Sequence, residues 1–202
     1  RPVNSESAEC LLGFRDGSLL FAQSLRQSAQ NQTEVVTASG AQFQMDTANF
    51  TEELTFIQHN NERLTYLSEL PDRGYKSLPF LEVKWPLGIN KNVFGGNLRS
   101  NDTIAFKGIG MHSTSRVVFD LDRKHQQFQA ELALDDQAGR HGSVVYRVLV
   151  ERAGTADKRE WSVDFTSPII RGGEQPLLLR LDVQNATRIA LLVEMADRAD
   201  TC

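Results

Sequence analysis

Phe106-Lys107-Gly108-Ile109-Gly110-Met111-His112-Ser113-Thr114-Ser115 runs directly into Arg116-Val117-Val118-Phe119-Asp120-Leu121. A Gly-x-Gly run that cradles a phosphate must open a helix, whose first N–H groups bind the anion. Here the residues after His112 alternate apolar and polar with period two, which makes a half-buried strand. Gly108 and Gly110 are therefore predicted to serve a bulge, a bend or a close backbone approach within a sheet. The stretch predicts an all-β chain with its distinctive residues at strand ends.

The same alternation recurs on both sides. Upstream, Leu81, Val83 and Trp85 share one face of a predicted strand. Downstream the sets are Phe128, Ala130, Leu132 and Leu134; Val144, Tyr146, Val148 and Val150; and Trp161, Val163 and Phe165. Leu177, Leu179, Leu181 and Val183 are matched by Ile189, Leu191, Val193 and Met195. Six or more strands with one apolar face each imply two antiparallel sheets packed face to face.

Residues 1–60 read as a separate small domain. Cys10–Phe14, Leu19–Ser24, Glu34–Ala38, Ala41–Met45 and Leu54–Ile57 are predicted strands, with Asp16-Gly17 and Ser39-Gly40 as turns. Five short strands with tight turns predict an SH3-like or Sm-like barrel, a shape that decides no function. The polar stretch Gln58–Arg63 is the expected boundary, and Leu64–Pro71 a short helical turn or a covering segment ended by Pro71.

Bulk composition excludes several classes. With 22 basic and 26 acidic residues the formal net charge is −4, and no Lys/Arg-rich run offers a phosphate-binding patch. Nucleic acid is not an expected partner. No apolar segment approaches the roughly 20 residues that span a bilayer. No leader-like segment is visible in Arg1-Pro2-Val3-Asn4-Ser5, which fits a processed start or the boundary of a longer chain. Cys10 reads as a buried free thiol; a disulfide to Cys202 would need an oxidising compartment and adjacent termini.

Over residues 64–202 the chain resembles the NPCBM family of carbohydrate-binding modules, close to carbohydrate-binding module family 51. The resemblance rests on five motifs in order: Tyr66–Leu70, Phe106–Ser115, Phe128–Asp136, Gly142–Val148 and Ile189–Asp197. Ala133 stands where the family has glycine, the Lys84–Asn92 stretch is longer and more apolar, and the family continues past the late acidic turn. The resemblance implies a jelly-roll β-sandwich that binds a glycan outside the cytoplasm: secreted, periplasmic or in the cell envelope. The alternative is a protein-interaction module of the envelope with no sugar site.

Sugar sites pair a flat aromatic face with a few hydrogen-bonding groups. Trp85, His112, Lys107, Arg140 and His141 are the candidates. Each has a plainer role: Trp85 as core packing, His112 as a turn residue bonded to a backbone carbonyl, and Lys107, Arg140 and His141 as solvated residues. Trp161 reads as core, and Tyr75 fits either role. Asp135 and Asp136, and likewise Asp197 and Asp200, are predicted to cap loops through N–H groups or to hold a structural Ca²⁺. Zinc lacks a ligand cluster and a nucleophile elbow is absent. Adjacent Asp135 and Asp136 do not make the opposed carboxylates of a glycosidase. The expected protein is thus a non-catalytic binding module of unassigned oligomeric state.

Overall fold

A computed structural model describes residues 8–59, 64–78, 83–153 and 159–197. The chain divides into two compact units, residues 1–64 and 65–202. In the first unit, β1 (Cys10–Phe14), β2 (Leu19–Gln27), β3 (Gln32–Thr37), β4 (Gln42–Asp46) and β5 (Leu54–His59) pair antiparallel in the order β4-β3-β2-β1-β5. Helix α1 (Thr47–Glu53) links β4 to β5, its N-terminus capped by Asp46, whose carboxylate accepts the N–H groups of Ala48 and Asn49.

The predicted barrel is corrected here. Among the described residues no ladder joins β4 to β5, so the sheet stays open. Helix α1, which the sequence reading passed over, does the sealing instead. Its Phe50 is buried against Cys10, Leu12, Ala22 and Val35, and meets Phe14 edge-to-face at 6.1 Å. A sheet whose apolar face is covered by a helix has no need to curl closed. Cys10 is a free, buried thiol in this core. Burial, with a smaller push from Glu9, raises its pKa. Cys202 lies outside the described residues.

The second unit is the sandwich. Its strands are β6 (Asp72–Ser77), β7 (Gly88–Ile89), β8 (Leu98–Ser100), β9 (Thr103–Ala105), β10 (Ile109–Gly110), β11 (Ser115–Asp120), β12 (Gln127–Leu132), β13 (Ser143–Ala153), β14 (Arg159–Thr166), β15 (Ile170–Arg171), β16 (Leu177–Asp182) and β17 (Ala186–Met195). The main sheet runs β14-β13-β17-β11-β6, with β15 also on β13; β12 pairs with β16, β7 with β10 and β8 with β9. Alternation fixes which side chains meet. Val117, Phe119, Val148, Val150 and Ile189 leave the main sheet inward and pack with Leu179, Leu181, Phe128, Leu132 and Ile109.

Two strand expectations change. Val83–Leu87 carries no strand and pairing begins at Gly88; Leu81 lies outside the described residues. Trp161 and Val163 sit on β14, but on the outer face of an edge strand, 41% and 54% exposed; only Phe165 reaches the core. A bulge opposite Val148/Leu149 turns the strand between them. Of the two readings of Leu64–Pro71, the structure has a single 3-10 turn at Leu67–Glu69.

The glycine motif is explained by space. A Cβ on Gly110 would lie 2.2 Å from the Lys91 carbonyl oxygen, and one on the paired Gly88 2.1 Å from the same atom. Side chains are excluded there because backbone passes over backbone.

Two outcomes are expected. Phe119→Ala, at a site with no exposed surface, should cost about 3–5 kcal/mol through lost burial plus a cavity, read from denaturant midpoints. Gly110→Ala should cost about 1–3 kcal/mol because the Lys91–Asn92 backbone must move; an unchanged melting temperature would show that the segment gives way freely.

Candidate functional site

One end of the sandwich collects the loops that matter. His112 sits just before Ser115, the first residue of β11, which pairs with Val193 near the end of β17. Val193 pairs in turn with Tyr146 near the start of β13. The segment from Asp135 to Gly142 leads into that same β13, so both loops open at the same end.

There Trp85 stacks parallel on His112, ring centroids 4.8 Å apart and 8° from coplanar. Phe94 meets Trp85 edge-on at 5.0 Å. The His112 ring is buried, and its Nδ1 lies 2.6 Å from the Ser113 carbonyl oxygen. A carbonyl only accepts, so Nδ1 carries the hydrogen in this contact. His112 thus supports Trp85 from below and holds the turn. Trp85 itself is half-buried, while Phe94 is 62% exposed.

The Phe94 turn is organised by one buried amide. Asn92 Oδ1 accepts the N–H of Phe94 at 3.1 Å and of Gly96 at 2.9 Å. Its Nδ2 donates to the Asn97 carbonyl at 3.3 Å and faces both Asp135 carboxylate oxygens at 3.4 Å. This ties the aromatic turn to the Asp135 loop. Sequence reading missed Asn92 and Phe94; the signal available was an aromatic before Gly95-Gly96, a turn-tip pattern.

Asp135 and Asp136 act as loop pins. Asp135 also accepts the N–H groups of Arg99 and Gln137 at 3.1 Å each. Asp136 accepts the N–H groups of Asn101 at 2.9 Å and Asp102 at 3.0 Å. Every oxygen of the two carboxylates therefore faces an N–H hydrogen. That arrangement makes both aspartates caps of their loops. Beside them, Asn97, Arg99 and Gln137 line a polar depression next to the Phe94 turn.

The remaining candidates are dispersed. Lys107 donates to Glu69 at 2.5 Å and lies over the Tyr66 ring at 5.5 Å, so its ammonium is spent on the 3-10 turn. Arg140 and His141 are exposed on the loop before β13, where the chain packs against Gly172 and Gly173. Asp197 pairs with Arg171, and its N–H donates to Ser143 Oγ at 3.1 Å. Asp200 lies outside the described residues. Among the described residues no group of three or more His, Cys, Asp or Glu side chains gathers as a metal site. No described helix is long and apolar enough to cross a membrane.

The chain is similar to CBM51-2 with INT domains of Clostridium perfringens ZmpB, solved with GlcNAc: 20% identity, TM-score 0.54, covering 83% of this chain and 33% of that one. It is similar to the CBM51 of Clostridium perfringens GH95, solved with methyl-galactose: 17% identity, TM-score 0.52, covering 67% of this chain and 89% of that one. A CBM51 tandem from a Streptococcus pneumoniae family 98 glycoside hydrolase matches at 18% identity and TM-score 0.50, over 66% of this chain and 42% of that one. At these identities the likeness is one of fold. The chain spans about a third of the ZmpB chain's length. No curated protein matches the chain in sequence. The NPCBM/NEW2 domain profile matches residues 64–202, and by that match the chain belongs to the NPCBM family.

Proposed function

We propose that the sandwich is a non-catalytic carbohydrate-binding module acting outside the cytoplasm. One observation supports this reading above the others: the exposed Phe94, braced by Trp85 and His112, stands beside a depression lined by Asn97, Arg99, Asp135 and Gln137. A sugar ring has apolar C–H faces and a rim of hydroxyls. The aromatic group takes the face, and the amides, guanidinium and residual carboxylate lone pairs take the hydroxyls. The related CBM51 structures solved with GlcNAc and methyl-galactose support a sugar ligand. A second depression is lined by Gln126, Gln127, Arg180, Leu181 and Asp182; the Phe94 end is preferred because the exposed Phe94 ring stands on the turn that Asn92 ties to Asp135.

The roles differ among the candidates. Phe94 is the platform, Trp85 and His112 hold it, and Asn92 sets its position. Arg140 and His141 border the same end and would meet a longer glycan. Water competes for each hydroxyl contact, so one small site implies a Kd of about 10 μM to 1 mM, or roughly −4 to −7 kcal/mol.

A glycan array followed by calorimetry on the best ligand tests the reading. Phe94→Ala should weaken binding about tenfold or more and leave the melting temperature nearly unchanged, because the ring is largely exposed. His112→Ala should lower both affinity and stability. A chain that binds no glycan at millimolar concentration would favour the envelope-interaction alternative.

Calcium is tested separately. If the Asp135–Asp136 carboxylates serve only as caps, a chelator leaves the melting temperature unchanged, while Asp136→Ala lowers it by releasing the Asn101 and Asp102 N–H groups. A fall with chelator that added Ca²⁺ reverses would identify a bound ion.

A further inference from the structure

The outer face of the main sheet carries an unusual charge arrangement. Val117, Phe119 and Tyr75 point toward the core, so Arg116 and Val118 on β11 and Gly74 and Lys76 on β6 lie on the opposite face. Lys76 and Arg116 are direct cross-strand partners. Both are exposed, and neither has an ion-pair or hydrogen-bond partner among the described residues. Like charges directly opposite on neighbouring strands repel and destabilise a sheet.

The rest of that face is organised differently. Arg147 pairs with Glu194 at 2.7 Å, and Arg188 with Asp120 at 3.3 Å and Glu151 at 3.7 Å. Arg73 also pairs with Asp120. These cations are ion-paired, while among the described residues neither Lys76 nor Arg116 is, in a chain whose net charge is −4. Beside it runs an apolar row across the strands. Val163 pairs with Leu149, Leu149 with Ala190, and Ala190 with Val118, while Leu192 lies between Arg147 and Arg116. Val163 is 54% exposed at the open end of this row.

We propose that this face docks an acidic polypeptide segment that also carries aliphatic side chains. Charge complementarity assigns carboxylates to Lys76 and Arg116. The Leu192, Val118, Leu149 and Val163 row selects a polypeptide over an acidic polysaccharide, which has few aliphatic groups to lay on it. A lysine on an edge strand such as β6 also guards against edge-to-edge aggregation. That role accounts for Lys76 alone, and not for Arg116 on the interior strand opposite it. The pair lies on the outer face of the sheet, and the proposal does not rest on the carbohydrate reading.

The test uses the full chain and a synthetic peptide alternating glutamate and valine, titrated by calorimetry at low and high salt. Binding is expected, weaker at high salt because the pair is exposed. It should weaken about tenfold or more in the Lys76→Gln/Arg116→Gln variant, which removes both charges and keeps the strands. Lys76→Glu alone should weaken binding and raise the melting temperature by about 1–3 °C, since repulsion becomes attraction. Equal peptide affinity in the wild type and the double variant, or no peptide binding, overturns the proposal. So does a sulfated oligosaccharide that binds more tightly than the peptide through the same two residues, because the cations would then belong to an anionic glycan. A lower melting temperature for Lys76→Glu would show that no repulsion exists to be relieved.

Discussion

The contact on which the functional end depends is one of backbone against backbone. Gly88 and Gly110 pair across β7 and β10, and the Lys91–Asn92 chain lies over both. No side chain fits beneath it. That close pass fixes Asn92, and Asn92 fixes the turn that carries Phe94 through bonds to two N–H groups and one carbonyl. The same amide reaches Asp135, whose neighbour Asp136 holds the β8–β9 turn. A chain of short polar contacts thus links three loops with no regular ladder between them. Its cost is low because each N–H and carbonyl needs a partner in any case.

Beneath those loops the sandwich supplies the rigidity. The central strands β13, β17 and β11 are paired along most of their lengths, and their inward residues Phe119, Val150 and Ile189 have no exposed surface. Loops anchored to such a frame present side chains in fixed places, which is what recognition of a small rigid sugar requires. The outer face of the same sheet follows other rules. Its residues alternate with the core residues, so packing leaves them free to carry ion pairs, an apolar row and an unrelieved pair of cations.

Family membership and fold restrict function without fixing it. CBM51 structures of related fold were solved with GlcNAc and with methyl-galactose, but at 17–20% identity the likeness is one of fold. The loop end of this chain carries the aromatic bracket of Phe94, Trp85 and His112 and the N–H-capped Asp135 and Asp136. The first is the basis for a sugar reading. The second is an acidic turn whose carboxylates accept N–H groups from the neighbouring loops.

Period-two alternation determined the strands by itself, because side-chain direction in a strand is a local property. Phe128–Leu132, Val144–Val150, Leu177–Leu181 and Ile189–Met195 all fall where alternation places them. The glycine motif was legible for the same kind of reason: missing Cβ atoms announce a close approach, though not what approaches. Only the tertiary structure decided the rest. Whether five short strands close into a barrel depends on edges that are distant in sequence; here Phe50 of α1 covers the apolar face and the edges stay apart. Trp161 alternates like a core residue, yet its strand lies at the sheet's edge, where one face has nothing to bury against. Trp85 and Phe94 come together with His112 through a loop that crosses the chain over two glycines. Strand sequence carries no record of such a crossing, because it is set by which backbone can lie on which.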